Sequence, residues 1–193
     1  MMDDTTIEWN IVSATINESP NIIAGKIAAA EPDVIAATCW LFNHDVLMHV
    51  LARAKAMVPN SMVILGGPEF LGDNEDFLRR HPFVDIILRG EGEETFPLWT
   101  KHINDIDKWK DITGLCYIHN DIYQDGGIAR VMDFDRLTPP EESPLFNWSK
   151  PFVQLETTRG CFNTCAFCVS GGEKPVRSLS IDTIRKRIDN IHR

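Results

Sequence analysis

Several features are scarce in this sequence of 193 residues, and each scarcity excludes something. Long apolar runs are missing: the stretch 34–42 (VIAATCWLF) is far too short to cross a bilayer. Positive charge is short as well. With 19 Lys and Arg against 28 Asp and Glu, the net charge is −9. That excludes a broad basic surface for nucleic acid, though not a local patch. The opening Met1-Met2-Asp3-Asp4 is acidic where a signal peptide would be basic and then apolar, so a cytoplasmic location is expected. Internal repeats and low-complexity tracts are absent. Only five cysteines occur, and three of them crowd together while Cys39 and Cys116 lie far apart. A small secreted scaffold would spread its cysteines to staple loops; clustered ones in a reducing compartment suggest metal.

The hydrophobic share of 44% and charged share of 24% are ordinary for a globular chain. Over the first hundred residues, strand and helix patterns alternate. Residues 7–16 (IEWNIVSATI) read as a strand, and Ser19-Pro20 provides an N-cap with proline at the first helical position. Ile22, Ile23, Ile27 and Ala30 share a helical face that ends at Pro32. Strands are then expected at 34–40, 61–65 and 84–88. Their apolar runs suit a parallel sheet buried on both faces. Helices are expected from Asp45 to near Pro59, around 75–80 and over 95–103. Repeated strand–helix units predict a doubly wound parallel α/β sheet in residues 1–105.

From Asp111 the pattern changes. Residues 112–118, the turn Asn120-Asp121 and residues 122–131 predict an antiparallel hairpin. The acidic, proline-rich 137–144 predicts an extended linker, so 106–150 is read as hairpin plus linker. In 151–193, a strand is expected at 152–157, then a cysteine loop, then a helix opened by Ser180. That helix carries Ile181, Ile184, Ile188 and Ile191 on one side, and Arg185-Lys186-Arg187 on the face expected to be solvated.

Cys161, Cys165 and Cys168 have the spacing Cys-x-x-x-Cys-x-x-Cys. Three thiolates on a short loop can bind three irons of a 4Fe–4S cluster and leave the fourth iron open for chemistry. A structural zinc site would ordinarily show a second cysteine pair, whereas Cys116 stands alone and His119 belongs to the hairpin. This spacing, after Thr158-Arg159-Gly160 and with the aromatic Phe167 before the third cysteine, resembles the radical SAM superfamily. The resemblance implies that the open iron chelates S-adenosylmethionine. An external donor then supplies one electron, a carbon–sulfur bond breaks, and a 5′-deoxyadenosyl radical is released. It also implies that Phe167 packs near the adenine.

In an open parallel sheet, ligands bind beyond the carboxyl ends of the strands. The loops there hold Trp40 to Asn43, then Gly66, Gly67, Pro68 and Glu69, then Gly90, Glu91, Gly92 and Glu93. Glycines let a ligand approach the backbone, although a tight strand-to-helix turn explains them equally well. Glu69, Glu91 and Glu93 could contact a ligand or simply cap helices. The order of parts looks like the B12-binding radical SAM class: Ile64-Leu65-Gly66-Gly67-Pro68-Glu69, Arg89-Gly90-Glu91-Gly92-Glu93-Glu94, a linker, then the cysteines. Segments 15–18 and 38–43 are similar to an uncharacterised branch of it.

The resemblance implies cobalamin across the strand ends, with Trp40 and Asn43 near its lower face. No histidine is expected on cobalt, because the Asp-x-His-x-x-Gly motif is absent. It further implies that the class's first strand and helix, and most of its partial barrel, lie outside this sequence. Only 25 residues follow Cys168, so a fragment is expected. Methyl transfer to an unidentified small or macromolecular substrate is the chemistry implied. A radical SAM enzyme of other chemistry, and a cofactor-binding module without turnover, stand as alternatives. Cys39, Cys116, Trp99 and Trp109 read as packing residues.

Overall fold

The computed structural model describes residues 7–168 and 175–192. These fall into two compact units, one running to Arg130 and the other from Val131.

In the first unit, five strands form one mixed sheet among the described residues: β1 (Val34–Thr38), β2 (Met62–Gly66), β3 (Ile86–Leu88), β4 (Leu115–His119) and β5 (Ile122–Asp125), in that spatial order. β1, β2 and β3 are parallel, pairing Ala36 with Ile64 and Ile64 with Ile86. Helices α1 (Pro20–Ala28), α2 (His44–Met57), α3 (Glu75–Arg80), α4 (Gly92–Lys101) and α5 (Ile106–Trp109) complete an α/β layered fold of Rossmann-like type. Alternation along the strands sorts two cores, because successive side chains leave opposite faces. Val63 and Leu65 pack with Leu51 and Leu78 on one side; Ile64 and Ile86 pack with Trp99 and Trp109 on the other. Cys39 and Cys116 are buried among these residues, and burial first of all pushes both thiols up, Cys39 to about 11.

The structure extends one expectation here and corrects another. The hairpin does not stand apart: β1 to β3 are parallel, as expected of residues 1–105, and β4 extends the same sheet by pairing antiparallel with β3. Residues 7–16 form no strand, although their alternation is strand-like, because among the described residues no other backbone bonds to them to complete a ladder.

The second unit is smaller. β6 (Thr158–Arg159) and β7 (Arg177–Ser178) pair antiparallel, and α6 (Ile181–Ile191) follows with the Ser180 hydroxyl accepting from the Thr183 amide at 3.2 Å. The strand expected at 152–157 is irregular chain, leaving only the two-residue ladder. The linker is also not free. Glu141 is buried and receives a two-pronged ion pair from Arg187, with both N–O distances at 2.9 Å. Arg187 is therefore buried, not on the solvated face that its basic neighbours suggest. Ile181 and Ile188 are exposed instead. Among the described residues, no helix is long and apolar enough to cross a membrane.

Candidate functional site

At the carboxyl ends of β1, β2 and β3 lies a cleft of about 360 Å³. Its walls include Gly66, Gly67, Gly90 and Gly92, with Thr38 as the polar side chain and Trp9 and Phe96 as aromatic edges. The two rings lie 5.9 Å apart between centroids. Four glycines from two loops leave main-chain atoms where side chains would otherwise fill the space.

The glycines serve different ends. Gly67 sits at φ 112°, and a Cβ there would run into the Cys39 carbonyl oxygen at the end of β1. Gly90 sits at φ 99° and would meet the backbone of Ala129. These two let strand ends approach each other, as the protein itself requires. Gly66 differs: a Cβ there meets nothing closer than Leu88 at 3.8 Å, so what it leaves open is the cleft. Gly92 is similar, with Leu88 at 3.7 Å.

The Gly90 loop is anchored from beneath. Ala129 donates to the Arg89 carbonyl at 2.9 Å and accepts from the Glu91 amide at 3.0 Å. The Arg89 guanidinium donates to the Leu71 carbonyl at 3.1 Å and to Asp125 at 2.6 Å. Burial alone would raise the Asp125 carboxyl; the Gly127 amide and Arg89 outweigh it and hold the group below the ordinary aspartate range. β3, the following loop and the β4–β5 hairpin are thereby tied into one piece.

The other expected cobalamin contacts do not line this cleft. Trp40 stands outside it, half exposed and stacked near Phe42 at 6.2 Å between centroids. The side chain of Asn43 is occupied in its own loop: Oδ1 accepts from the Trp40 amide at 2.8 Å, and Nδ2 donates to the Thr38 carbonyl at 3.1 Å. Asn43 is a positioning residue for the Trp40 loop. Pro68 and Glu69 begin a short 3-10 turn, and Glu69 is exposed and raises the Cys39 thiol further. Glu91 precedes α4 and Glu93 lies in its first turn, where a carboxylate complements the helix dipole. Sequence reasoning missed Trp9, Phe96, Arg89 and Asp125 as contributors. Trp9 and Phe96 carry no motif, and Arg89 and Asp125 are 36 residues apart.

In the second unit, Cys161, Cys165 and Cys168 are free thiols, with Cys161 half-buried and the other two exposed. The Cys168 amide donates to the Cys165 carbonyl at 3.1 Å, which closes a turn between them. Phe167 is 92% exposed. Among the described residues, no group of three or more His, Cys, Asp or Glu side chains is already gathered as a metal site. By chemistry the donor set fits an iron–sulfur cluster: three unpaired thiols on one loop, with soft sulfur available to iron. The cleft's lining is mostly apolar, and Gly66 and Gly92 leave main-chain atoms open to close approach by a ligand.

Comparison with known proteins gives a consistent picture. A family model described as the B12 binding domain matches residues 1–99. The cobalamin-dependent radical SAM methyltransferase TokK of Streptomyces tokunonensis is 29% identical over 172 residues, covering 81% of this chain and 24% of that protein. The 2-(S-pantetheinyl)-carbapenam-3-carboxylate methyltransferase of Streptantibioticus cattleyicolor is 30% identical over 154 residues, covering 72% and 22%. An anaerobic magnesium-protoporphyrin IX monomethyl ester cyclase of Cereibacter sphaeroides is 27% identical over 158 residues, covering 76% and 26%. The chain thus spans about a quarter of the length of these relatives. Among solved structures, the radical enzyme OxsB with aqua-cobalamin and S-adenosylmethionine bound superposes with a TM-score of 0.70 at 21% identity, over 91% of this chain and 25% of that one. That likeness concerns the fold.

Proposed function

Because the chain belongs to the B12 binding domain family, we propose that its strand-end cleft holds cobalamin for a radical SAM methyltransferase. The observation that carries this reading is the apolar cleft over three parallel strand ends, floored by Gly66 and Gly92. Gly66, Gly67, Gly90 and Gly92 offer backbone atoms to the cofactor. Trp9 and Phe96 cover its apolar edge, and the Arg89–Asp125 pair holds the second glycine loop in place. No histidine lines the cleft among the described residues, and none is assigned to cobalt.

Cys161, Cys165 and Cys168 are assigned as the ligands of a 4Fe–4S cluster, and Phe167 as a neighbour of the adenine of S-adenosylmethionine. When bound, the corrin would supply a methyl-carrying metal centre, and the cluster would supply a one-electron relay between an outside donor and the sulfonium. The protein's own residues would hold and position these groups. The substrate is left as a small or macromolecular acceptor of a methyl group.

The test is anaerobic reconstitution with iron, sulfide and hydroxocobalamin, followed by gel filtration, EPR with and without S-adenosylmethionine, and product analysis. Retention of cobalamin, a SAM-dependent EPR change, and formation of both S-adenosylhomocysteine and 5′-deoxyadenosine are expected. Gly66→Val should fold and lose cobalamin at least about tenfold, as filling a pocket costs one or more kcal/mol. A single tetrahedral zinc in place of iron overturns the radical assignment. The likeness to the cyclase favours one second reading, radical chemistry without methylation, for which deoxyadenosine alone is the signature. Cobalamin retention with no cleavage of S-adenosylmethionine marks a binding module.

A further inference from the structure

The two glycine loops of the cleft follow adjacent parallel strands, yet the ladder between those strands ends at Leu65 and Ile87, short of both loops. The Gly66 carbonyl accepts from the Cys39 amide at the end of β1, while the Gly90 loop is bonded to Ala129. Backbone bonds thus fasten each loop to an outer neighbour, and side chains span the interval between them. Arg89 is one link, donating through Nε to the carbonyl of Leu71, which ends the short turn after Gly67.

A second link runs through buried residues. Asn74, 2% exposed, donates its side-chain amide to the Phe70 and Gly72 carbonyls, both at 3.1 Å. Its backbone amide donates to the Tyr123 hydroxyl at 3.4 Å. That hydroxyl bonds the sulfur of Cys116, which is wholly buried. Cys116 in turn donates to Asp125 Oδ1 at 3.5 Å, and Asp125 Oδ2 accepts from Arg89 at 2.6 Å. The links return to their start: Arg89, backbone 71–74, Tyr123, Cys116, Asp125 and Arg89 again. Burial first of all raises both the Cys116 thiol and the Tyr123 hydroxyl, so each keeps its proton and can donate toward the carboxylate.

We propose that Tyr123, Cys116 and Asn74 are positioning residues for the cleft, closing with Arg89 and Asp125 a ring of hydrogen bonds that fixes the spacing of the Gly67 and Gly90 loops. Filling this space needs no such ring, because phenylalanine and valine would pack there without polar atoms to satisfy. A ring is opened by one cut, so breaks at distant points share a single consequence, which independent props would not. The ligand concerned is the cobalamin assigned above, and the inference rests on that reading.

The test takes the full chain with Tyr123→Phe, Arg89→Met and the two combined. Each is titrated with hydroxocobalamin, and amide hydrogen exchange is followed without ligand. Each single variant should bind about tenfold more weakly, and the double no more than about twofold below the poorer single. Exchange should respond across the ring. Tyr123→Phe should speed the Glu91 amide, bonded to Ala129 at the far loop, and Arg89→Met the Phe70 amide, bonded to Gly67. Protection of β2 should be kept in both. Should Arg89→Met fail to fold, Asp125→Asn takes its place, since it keeps an acceptor for the Gly127 amide. Losses that multiply in the double variant overturn the ring, as do single variants that bind like the unaltered protein. Weaker binding together with lost β2 protection overturns it too, because the hydroxyl then serves stability alone. If the unaltered protein retains no cobalamin, the cofactor reading fails by itself and exchange still decides. Faster exchange at Glu91 in Tyr123→Phe then supports the ring, and unchanged exchange sinks it.

Discussion

The strand-end cleft and the cysteine loop are both assigned to cofactors, yet they are built in opposite ways. The cleft is made of main-chain atoms and glycines, held by Arg89, Asp125 and Ala129. Backbone can be placed only by the fold around it, so such a site must be rigid before anything binds. The loop offers three thiols, two of them exposed, beside an exposed Phe167. Metal–thiolate bonds are strong enough to order their own ligands, so gathering can wait for the metal.

That contrast can be broken or sharpened, first where the cysteine-bearing unit is held. Arg187→Ala should cost about 3–5 kcal/mol, because Glu141 is left buried without its partner. Hydrogen exchange should show protection lost in α6 and kept in β2; loss of both would mean that the two units do not melt separately. Gly90→Ala comes next. Its positive φ alone should cost about 1–3 kcal/mol, and backbone contact with Ala129 should add to it. Urea unfolding measures the cost, and cobalamin titration should show the cleft impaired.

Acid supplies a third, graded test. Glu141 would be raised by burial, but Arg187 holds it below the ordinary glutamate range, and Asp125 is lowered as well. Carboxyls depressed in the folded state stabilise it fully above their unfolded values, and the contribution fades as pH falls through the folded ones. Urea midpoints should therefore be flat near neutrality and drop below the usual carboxylate range. Glu141→Gln should flatten that drop. The smallest effect is expected at the thiols. With iron withheld, the alanine variants of Cys165 and Cys168 should leave stability within about 0.5 kcal/mol, since exposed side chains hold little together. The same variants should lose bound iron after reconstitution. A large loss of stability without iron would mean that the loop is structural.

Much of this could be read along the chain, and the failures share a cause. The Asn120-Asp121 turn was legible because both residues take positive φ, 50° and 64°, as a two-residue hairpin turn demands. Gly67 and Gly90 were legible for the same reason. The 7–16 segment has the right alternation for a strand, but a strand exists only beside a partner, and alternation does not supply one. Arg187 looked solvated because its neighbours are charged; Glu141, 46 residues earlier, decides otherwise. Arg89 and Asp125 were invisible on the same ground. Local chemistry fixes turns and helix starts, whereas pairings across long stretches of chain need the fold.

The knot at Asn43 has one more consequence. By fastening both ends of its loop, that side chain holds Trp40, Leu41 and Phe42 outward as a fixed apolar prow, with Leu41 83% exposed. Any body that settles on these three rings and chains meets a surface whose backbone has little freedom left to surrender. Cutting the knot with Asn43→Ala would give that backbone freedom back, and the entropy lost on any contact there would rise accordingly.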